Sequence, residues 1–363
     1  MGLAGPQAFA MGNGPRRGKI RFKAQSFEAP MGHWHMLMMG IGSNSQVQWP
    51  TALMPQDPEK LKEILPVNKV PEFKLGFKDE TWTEVVSYAH EHGVNVILLN
   101  LHDGIVFPSH PELAIEGSWS VEKVQEQVLW ANSLGIEIIP KINFSTRHNG
   151  WMKDYQHMIS SKPYYRMVED VLADIYEIFG HPRFIHVGMD EEDSEFLQKR
   201  YNYRCQRFGE NWWIDFLHVI DTVEKLGARP VMWSDYAWEH PDFFERCPKN
   251  VIQMNWYYDD NCRGCDPDAT DHARTQRILR TFQLLDQAGF DQVPCGSNWV
   301  SDYRKNNGLK NEESMKGIIA CANRYVSKEH LLGYLMAPWG GRNMAHQKRA
   351  IEILEEALEG SGI

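Results

Sequence analysis

A chain of 363 residues with 42% apolar residues can bury a large core, as one barrel or as two mid-sized domains. Its formal net charge of −10 argues against a nucleic-acid partner, because phosphate binding needs a basic face. No run of about 18 apolar residues occurs, so no membrane-spanning helix is expected.

Residues 1–30 carry Gly, Pro and Arg without periodicity and read as an irregular leader. Ala8-Phe9-Ala10, after Gly2-Leu3-Ala4, has the small-x-small pattern that ends a bacterial export signal, so an exported (periplasmic or extracellular) protein is expected. An arbitrary Ala/Gly-rich leader is the plain alternative. From residue 31 to 363 short apolar runs alternate with amphipathic stretches. The runs are Trp34–Gly42, Val94–Leu101, Ile136–Ile142, Phe184–Gly188, Pro230–Trp233, Val251–Asn255, Gln292–Gly296 and Leu331–Ala337, eight candidate strands.

The helical patterns between them have readable ends. Asp79 is placed to cap a helix burying Trp82, Val85, Val86 and Ala89 before Gly93. Ser120 is placed to cap one carrying Val124, Val128 and Ala131 before Gly135. Pro163 suits a first turn ahead of Met167, Val168, Val171, Leu172 and Ile175. Further helices are expected over 211–226, 271–288, 311–327 and 344–358, with one turn near Pro241–Arg246. Strands apolar on both faces fit a parallel sheet covered on both sides. Eight such units close most simply as a single (β/α)₈ TIM barrel, domain 31–363; the doubly wound alternative usually has fewer strands and a Gly-rich first turn. No G-x-G-x-x-G or P-loop occurs, and no cofactor is expected.

Barrel function gathers at the C-terminal strand ends. Reading those ends gives His102-Asp103, Asn143 through His148, His186 and Asp190-Glu191-Glu192-Asp193, Trp233-Ser234-Asp235, Asn255 through Asp259, Asn298-Trp299 with Asp302-Tyr303, and Trp339. Carboxylates for proton transfer and indole faces for stacking on sugar C–H surfaces share one rim. Four consecutive acids could instead be a solvated turn, His102 and His186 structural hydrogen-bonded histidines, and Asp103 a loop cap. Cys262-Arg263-Gly264-Cys265 reads as a surface-loop disulfide or two free thiols, since no second ligand pair stands at zinc spacing.

The segment Phe184-Ile185-His186-Val187-Gly188-Met189-Asp190-Glu191 resembles the H-x-G-G-D-E signature of glycoside hydrolase family 20, the β-N-acetylhexosaminidases. Val94–Asp103 resembles that family's second strand, Ile136–Asn143 its third (I-x-V-I-P-E-I-D), Pro230–Asp235 its Trp-ending fifth, and Met336–Trp339 its closing Trp. The likeness spans roughly residues 80–340. It implies a substrate-assisted retaining hydrolase of β-linked N-acetylhexosaminides, in which the 2-acetamido oxygen is the nucleophile. Glu191 is then the general acid/base and Asp190 orients the acetamide. Asp103, His148 and His186 support the pair, while Trp233, Asp235, Tyr257, Trp299, Asp302 and Trp339 bind the sugar; no metal is implied. Departures are visible: Met189 replaces the second Gly, His148 stands one place late in the third-strand loop, no Arg ends the first strand, and Val300 takes the place of the family's Tyr. A glycosidase for another sugar, a metal-dependent hydrolase built on His102, Asp103, His148, His186 and Asp190, and an inactive sugar-binding barrel are the competing readings.

Overall fold

The computed structural model describes residues 33–50, 54–66, 69–192, 206–258, 265–300, 311–339 and 342–360. The leader with Ala8-Phe9-Ala10, and with them Asp193, Asp259, Cys262, Asp302 and Tyr303, lie outside the described residues. Eight parallel strands form one sheet: β1 (Trp34–Gly40), β2 (Val96–Asn100), β3 (Glu137–Lys141), β4 (Phe184–His186), β5 (Arg229–Trp233), β6 (Ile252–Met254), β7 (Cys295–Gly296) and β8 (Gly333–Met336). Their order is β6-β5-β4-β3-β2-β1-β8-β7. The remaining seam, between β6 and β7, is bridged at Gln253–Gln292 and Trp256–Cys295, so the sheet curls into a nearly closed (β/α)₈ barrel.

Side chains alternate across each strand, and both faces are apolar because both are buried. Trp34, Met36 and Met38 of β1, Val96 and Leu98 of β2, Ile139 of β3 and Val231 of β5 fill the barrel interior. Leu37, Met39, Ile97, Leu99 and Ile138 face the surrounding helices. The interior turns polar in its top layer. There Gly40 pairs with Asn100, Asn100 with Lys141, and Lys141 with His186.

The helices are α1 (Pro58–Ile64), α2 (Asp79–Glu91), α3 (Val121–Ser133), α4 (Lys162–Ile178), α5 (Glu210–Leu226), α6 (Phe243–Arg246), α7 (Ala273–Gln287), α8 (Ser314–Tyr325) and α9 (Met344–Glu359). Ser120 caps α3 by accepting from the Lys123 N–H at 3.3 Å, and Ser161 caps α4 ahead of Pro163. At α2 the expectation is corrected by one residue. Lys78 holds the extended cap conformation without a side-chain bond, and Asp79 is the first helical residue, where its charge suits the helix dipole. The ring of helices closes where α9 meets α2, through Tyr88 Oη donating to Glu352 at 2.9 Å and His92 facing Glu355 at 2.7 Å. Cys265 is a buried free thiol whose Sγ donates to the Gly317 carbonyl at 3.5 Å, which selects the free-thiol reading over a surface disulfide for this residue. Among the described residues no helix is long and apolar enough to cross a membrane.

Candidate active site

The turn after β4 assembles the site by backbone conformation. Gly188, Met189 and Glu191 all have positive φ, at 79°, 69° and 57°. A side chain at Gly188 would place its Cβ 2.0 Å from Asn143 Oδ1, so only glycine fits there. Reversals at three of four positions send successive side chains in different directions. Met189 turns into the core, fully buried, with its sulfur 3.5 Å from the Arg207 guanidinium; it forms no part of the cleft floor. Asp190 turns toward the third-strand loop, and Glu191 toward the open cleft. Glu192 turns under the turn, accepting from the Thr146 N–H at 2.6 Å, Trp212 Nε1 at 2.7 Å and Arg207 at 3.2 Å.

Asp190 and Glu191 share one histidine. His148 Nε2 lies 3.2 Å from Asp190 Oδ2 and 3.1 Å from Glu191 Oε2. Asn143 Nδ2 donates to Asp190 Oδ1 at 2.7 Å. Burial pushes the Asp190 carboxyl up, but the His148 charge and hydrogen bond, the Lys141 ammonium and Asn143 together hold it well below the usual carboxylate range. Burial likewise opposes a charge on His148, yet Asp190 and Glu191 raise its pKa above the ordinary histidine value. Arg147 Nε makes a close ion pair with Glu191 Oε2.

The other expected residues fall into two groups. Trp233, Tyr257, Trp299 and Trp339 line the cleft together with His148, Asp190 and Glu191. Asp235, expected at the sugar, is buried and lines no part of it; its Oδ2 accepts the Glu191 N–H at 2.6 Å and so fixes the strained peptide that aims the acid. His186 is also structural. Its Nδ1 accepts the Gly188 N–H at 3.0 Å and its ring meets Trp233 edge-on at 4.8 Å. Asp103 does not touch His148. It accepts from the Ser43 N–H at 3.2 Å, the Asn44 N–H at 3.5 Å and Asn44 Nδ2, which makes it the cap of the β1 loop. The other ring nitrogen of His148, Nδ1, is met instead by Gln46 Nε2 at 3.4 Å.

Four more residues join the cleft; Asn143, Arg147 and Tyr258 stand in the rim segments read from the sequence, whereas Lys141 does not. Asn143 and Lys141 sit at the end of β3, Arg147 pairs with Glu191, and Tyr258 packs against Trp256 and Trp339 with ring centroids 5.0 and 6.4 Å apart. Burial pushes the Tyr258 hydroxyl far above its ordinary pKa, so it stays a neutral donor. The signal for Tyr258 was its place at the end of β6; that for Lys141 was a charge inside an apolar strand.

The cleft has two lobes of about 520 Å³ each that meet at Gln46, His148, Asp190 and Trp339. The outer lobe is aromatic, with Trp233, Trp256, Tyr258 and Trp299 around Glu191. The inner lobe descends to Asn100, His102 and Lys141 over the top layer of the barrel. Among the described residues no three His, Cys, Asp or Glu side chains stand close enough to hold a metal ion. A cleft combining adjacent acids, a shared imidazole and aromatic walls suits proton-assisted cleavage of a sugar bond.

No curated protein sequence matches the chain. Among solved structures it is similar to a mutant Streptomyces plicatus β-hexosaminidase in complex with GlcNAc (13% identity, TM-score 0.58, covering 90% of this chain and 64% of that one). It is similar also to the Bacteroides fragilis β-N-acetylhexosaminidase (14% identity, TM-score 0.57, covering 90% and 66%). Against dispersin B the figures are 13% identity and TM-score 0.53, covering 77% of this chain and 95% of that one. The chain thus spans about two thirds of the longer hexosaminidases. Residues 68–266 match the catalytic domain of glycosyl hydrolase family 20, more than half the chain and the whole stretch from the β1 loop past β6, so this protein belongs to glycosyl hydrolase family 20 and is a glycoside hydrolase.

Proposed function

We propose that the protein hydrolyses β-linked N-acetylhexosaminides by substrate assistance. The observation that carries this reading is the environment of Asp190: a buried carboxylate held ionised by His148, Lys141 and Asn143, beside a second acid that opens into an aromatic lobe. An ionised Asp190 accepts the acetamide N–H and orients its oxygen toward the anomeric carbon. As that oxygen attacks, positive charge spreads over the forming oxazolinium ring, and the neighbouring carboxylate stabilises charge that exists only in the transition state. Glu191 gives its proton to the departing glycosidic oxygen, then takes one from the water that opens the ring at the anomeric carbon. Trp233, Trp339 and Tyr258 wall the acetamide, with the Tyr258 hydroxyl substituting for the family tyrosine replaced by Val300. Export follows the same proposal, resting on the Ala8-Phe9-Ala10 pattern alone.

Turnover of 4-nitrophenyl N-acetyl-β-glucosaminide tests it. Glu191→Gln is expected to lower kcat by about 10²–10⁴-fold while leaving ligand binding close to wild type. A variant keeping more than roughly a tenth of the wild-type rate, outside that range for a general acid, would overturn the assignment.

A further inference from the structure

The floor of the inner lobe offers more hydrogen-bond donors than acceptors. Lys141 is 1% exposed and points along the barrel interior, because it shares the strand face of Ile139. Its ammonium has three N–H groups, and its one hydrogen bond goes to Asn100 Oδ1 at 2.9 Å. Asn100 Nδ2 in turn donates to His102 Nδ1 at 3.2 Å. That bond leaves the His102 proton on Nε2, which is buried and without an acceptor among the protein atoms. Burial and the Lys141 charge keep both His102 and His186 neutral, so neither competes as a cation.

The acids around this lobe are already matched. Glu72 at its rim receives both arms of the Arg342 guanidinium, at 3.0 and 2.5 Å. Asp190 is engaged by His148 and Asn143. The Lys141 charge is balanced through space by Asp190 and its Nζ lies 5.9 Å from the Trp233 ring centroid, but its spare N–H groups and the neutral His102 N–H are left without acceptors at the base of a cavity that opens beside Asp190. A buried ammonium is costly unless acceptors pair with it, and burial lowers the Lys141 pKa to about 8 even though the Asp190 carboxylate raises it.

Building on the hexosaminidase reading, we infer that the inner lobe is an anion subsite, in which Lys141 and His102 bind a sulfate ester or carboxylate carried by the sugar at a position away from its acetamide and anomeric carbon. Lys141 is thus the specificity-determining residue, and the natural substrate is an acidic N-acetylhexosaminide. The anion supplies acceptors to two spare ammonium protons and to the His102 N–H, donors that are themselves buried and so form strong charge-assisted hydrogen bonds.

The test compares kcat/KM for 4-nitrophenyl N-acetyl-β-glucosaminide with that for its 6-sulfate and its 3-O-lactyl ether, the last supplying the carboxylate. Wild type is expected to favour one anionic form over the neutral one by roughly ten- to a hundredfold, the worth of a buried charge-assisted bond, and the favoured arm identifies the anion. Lys141→Met is expected to abolish the preference. Equal loss on neutral and anionic substrates would make Lys141 a mere counter-charge to Asp190, and a wild type indifferent to the anion would equally overturn the subsite. Calorimetric binding of free GlcNAc, its 6-sulfate and its 3-O-lactyl ether to both proteins reads the same ratio without turnover. An enzyme inert toward all three glycosides yet selective for the anionic sugar would therefore sink the proposed activity and leave the subsite standing.

Discussion

His148 holds two carboxylates with one nitrogen, and that ties the stability of the protein to pH through a single residue. Its folded pKa lies above the ordinary histidine value of 6.5. The stabilisation it contributes is therefore fully present below that ordinary value, and is lost as pH rises through the folded one. Asp190 behaves oppositely. Its depressed pKa contributes stability above the ordinary aspartate range, lost as pH falls through the folded value. Melting temperatures measured from pH 5 to 9 should fall on the alkaline side of 6.5 in wild type, and His148→Phe should flatten that limb. An unchanged slope in the variant would show that His148 is not charged in the folded protein. Other residues of the site differ in how far a sequence discloses them. Asp190 and Glu191 are legible because a motif surrounds them. The partner of Asp103 is not, because Asn44 lies 59 residues away and reaches it only once the β1 and β2 loops pack. Lys141 is hidden differently: it occupies the place of an acid in a recognisable strand pattern, and only the interior register shows which way its charge points.

The segment from β4 to α5 shows how an element can contradict its own composition. Four consecutive acids suggest a solvated turn, yet positive φ at Met189 and Glu191 distributes the three described ones to three environments. Glu192 enters a buried triad: Arg207 pairs with Glu192 at 3.2 Å and with Asp215 of α5 at 2.8 Å, all with side chains 1% exposed or less. Tyr165 and Ser160 donate to the same Asp215, so α4, α5 and the turn after β4 are fastened at one point. Arg207→Met leaves two carboxylates buried without a cation. It should cost about 3–5 kcal/mol in urea unfolding, the usual penalty for breaking a buried pair. A loss under roughly 1 kcal/mol, the value of an exposed pair, would mean that the triad does not hold the turn. Elements with strong periodicity, such as α3 and α4, are legible from their caps and apolar faces. Helix α1 is not, because Leu61 is its single buried residue and no apolar stripe marks it. Strand β7 shrinks from the expected Gln292–Gly296 to Cys295–Gly296, since Pro294 has no N–H to donate and Gln292 joins its neighbours only through isolated bridges.

Across the whole barrel the hydrogen bonding is uneven. Strand β2 is paired over five positions with each neighbour, whereas β6 meets the β7 edge through isolated bridges. Opening should begin where fewest backbone bonds must break together. Amides of Gln253, Val293 and Cys295, which bond across that seam, are expected to exchange with deuterium roughly tenfold or more faster than those of Ile97 to Leu99. Equal protection would show that the seam is as firm as the rest of the sheet. The opposite side of the barrel carries a different consequence. Strand β1 pairs with β8, Trp34 opposite Gly333, so two neighbouring strands are made with the rest of the barrel translated between them. At about 5–20 residues per second the ribosome needs roughly 15–60 s to travel from one to the other. Throughout that interval β1 offers one unpaired row of amides and carbonyls, an edge on which a second nascent chain can add a strand. The quantity that governs the yield of folded enzyme in a cell is therefore how long this edge stays guarded, and a slow codon anywhere between Gly40 and Gly333 lengthens the wait.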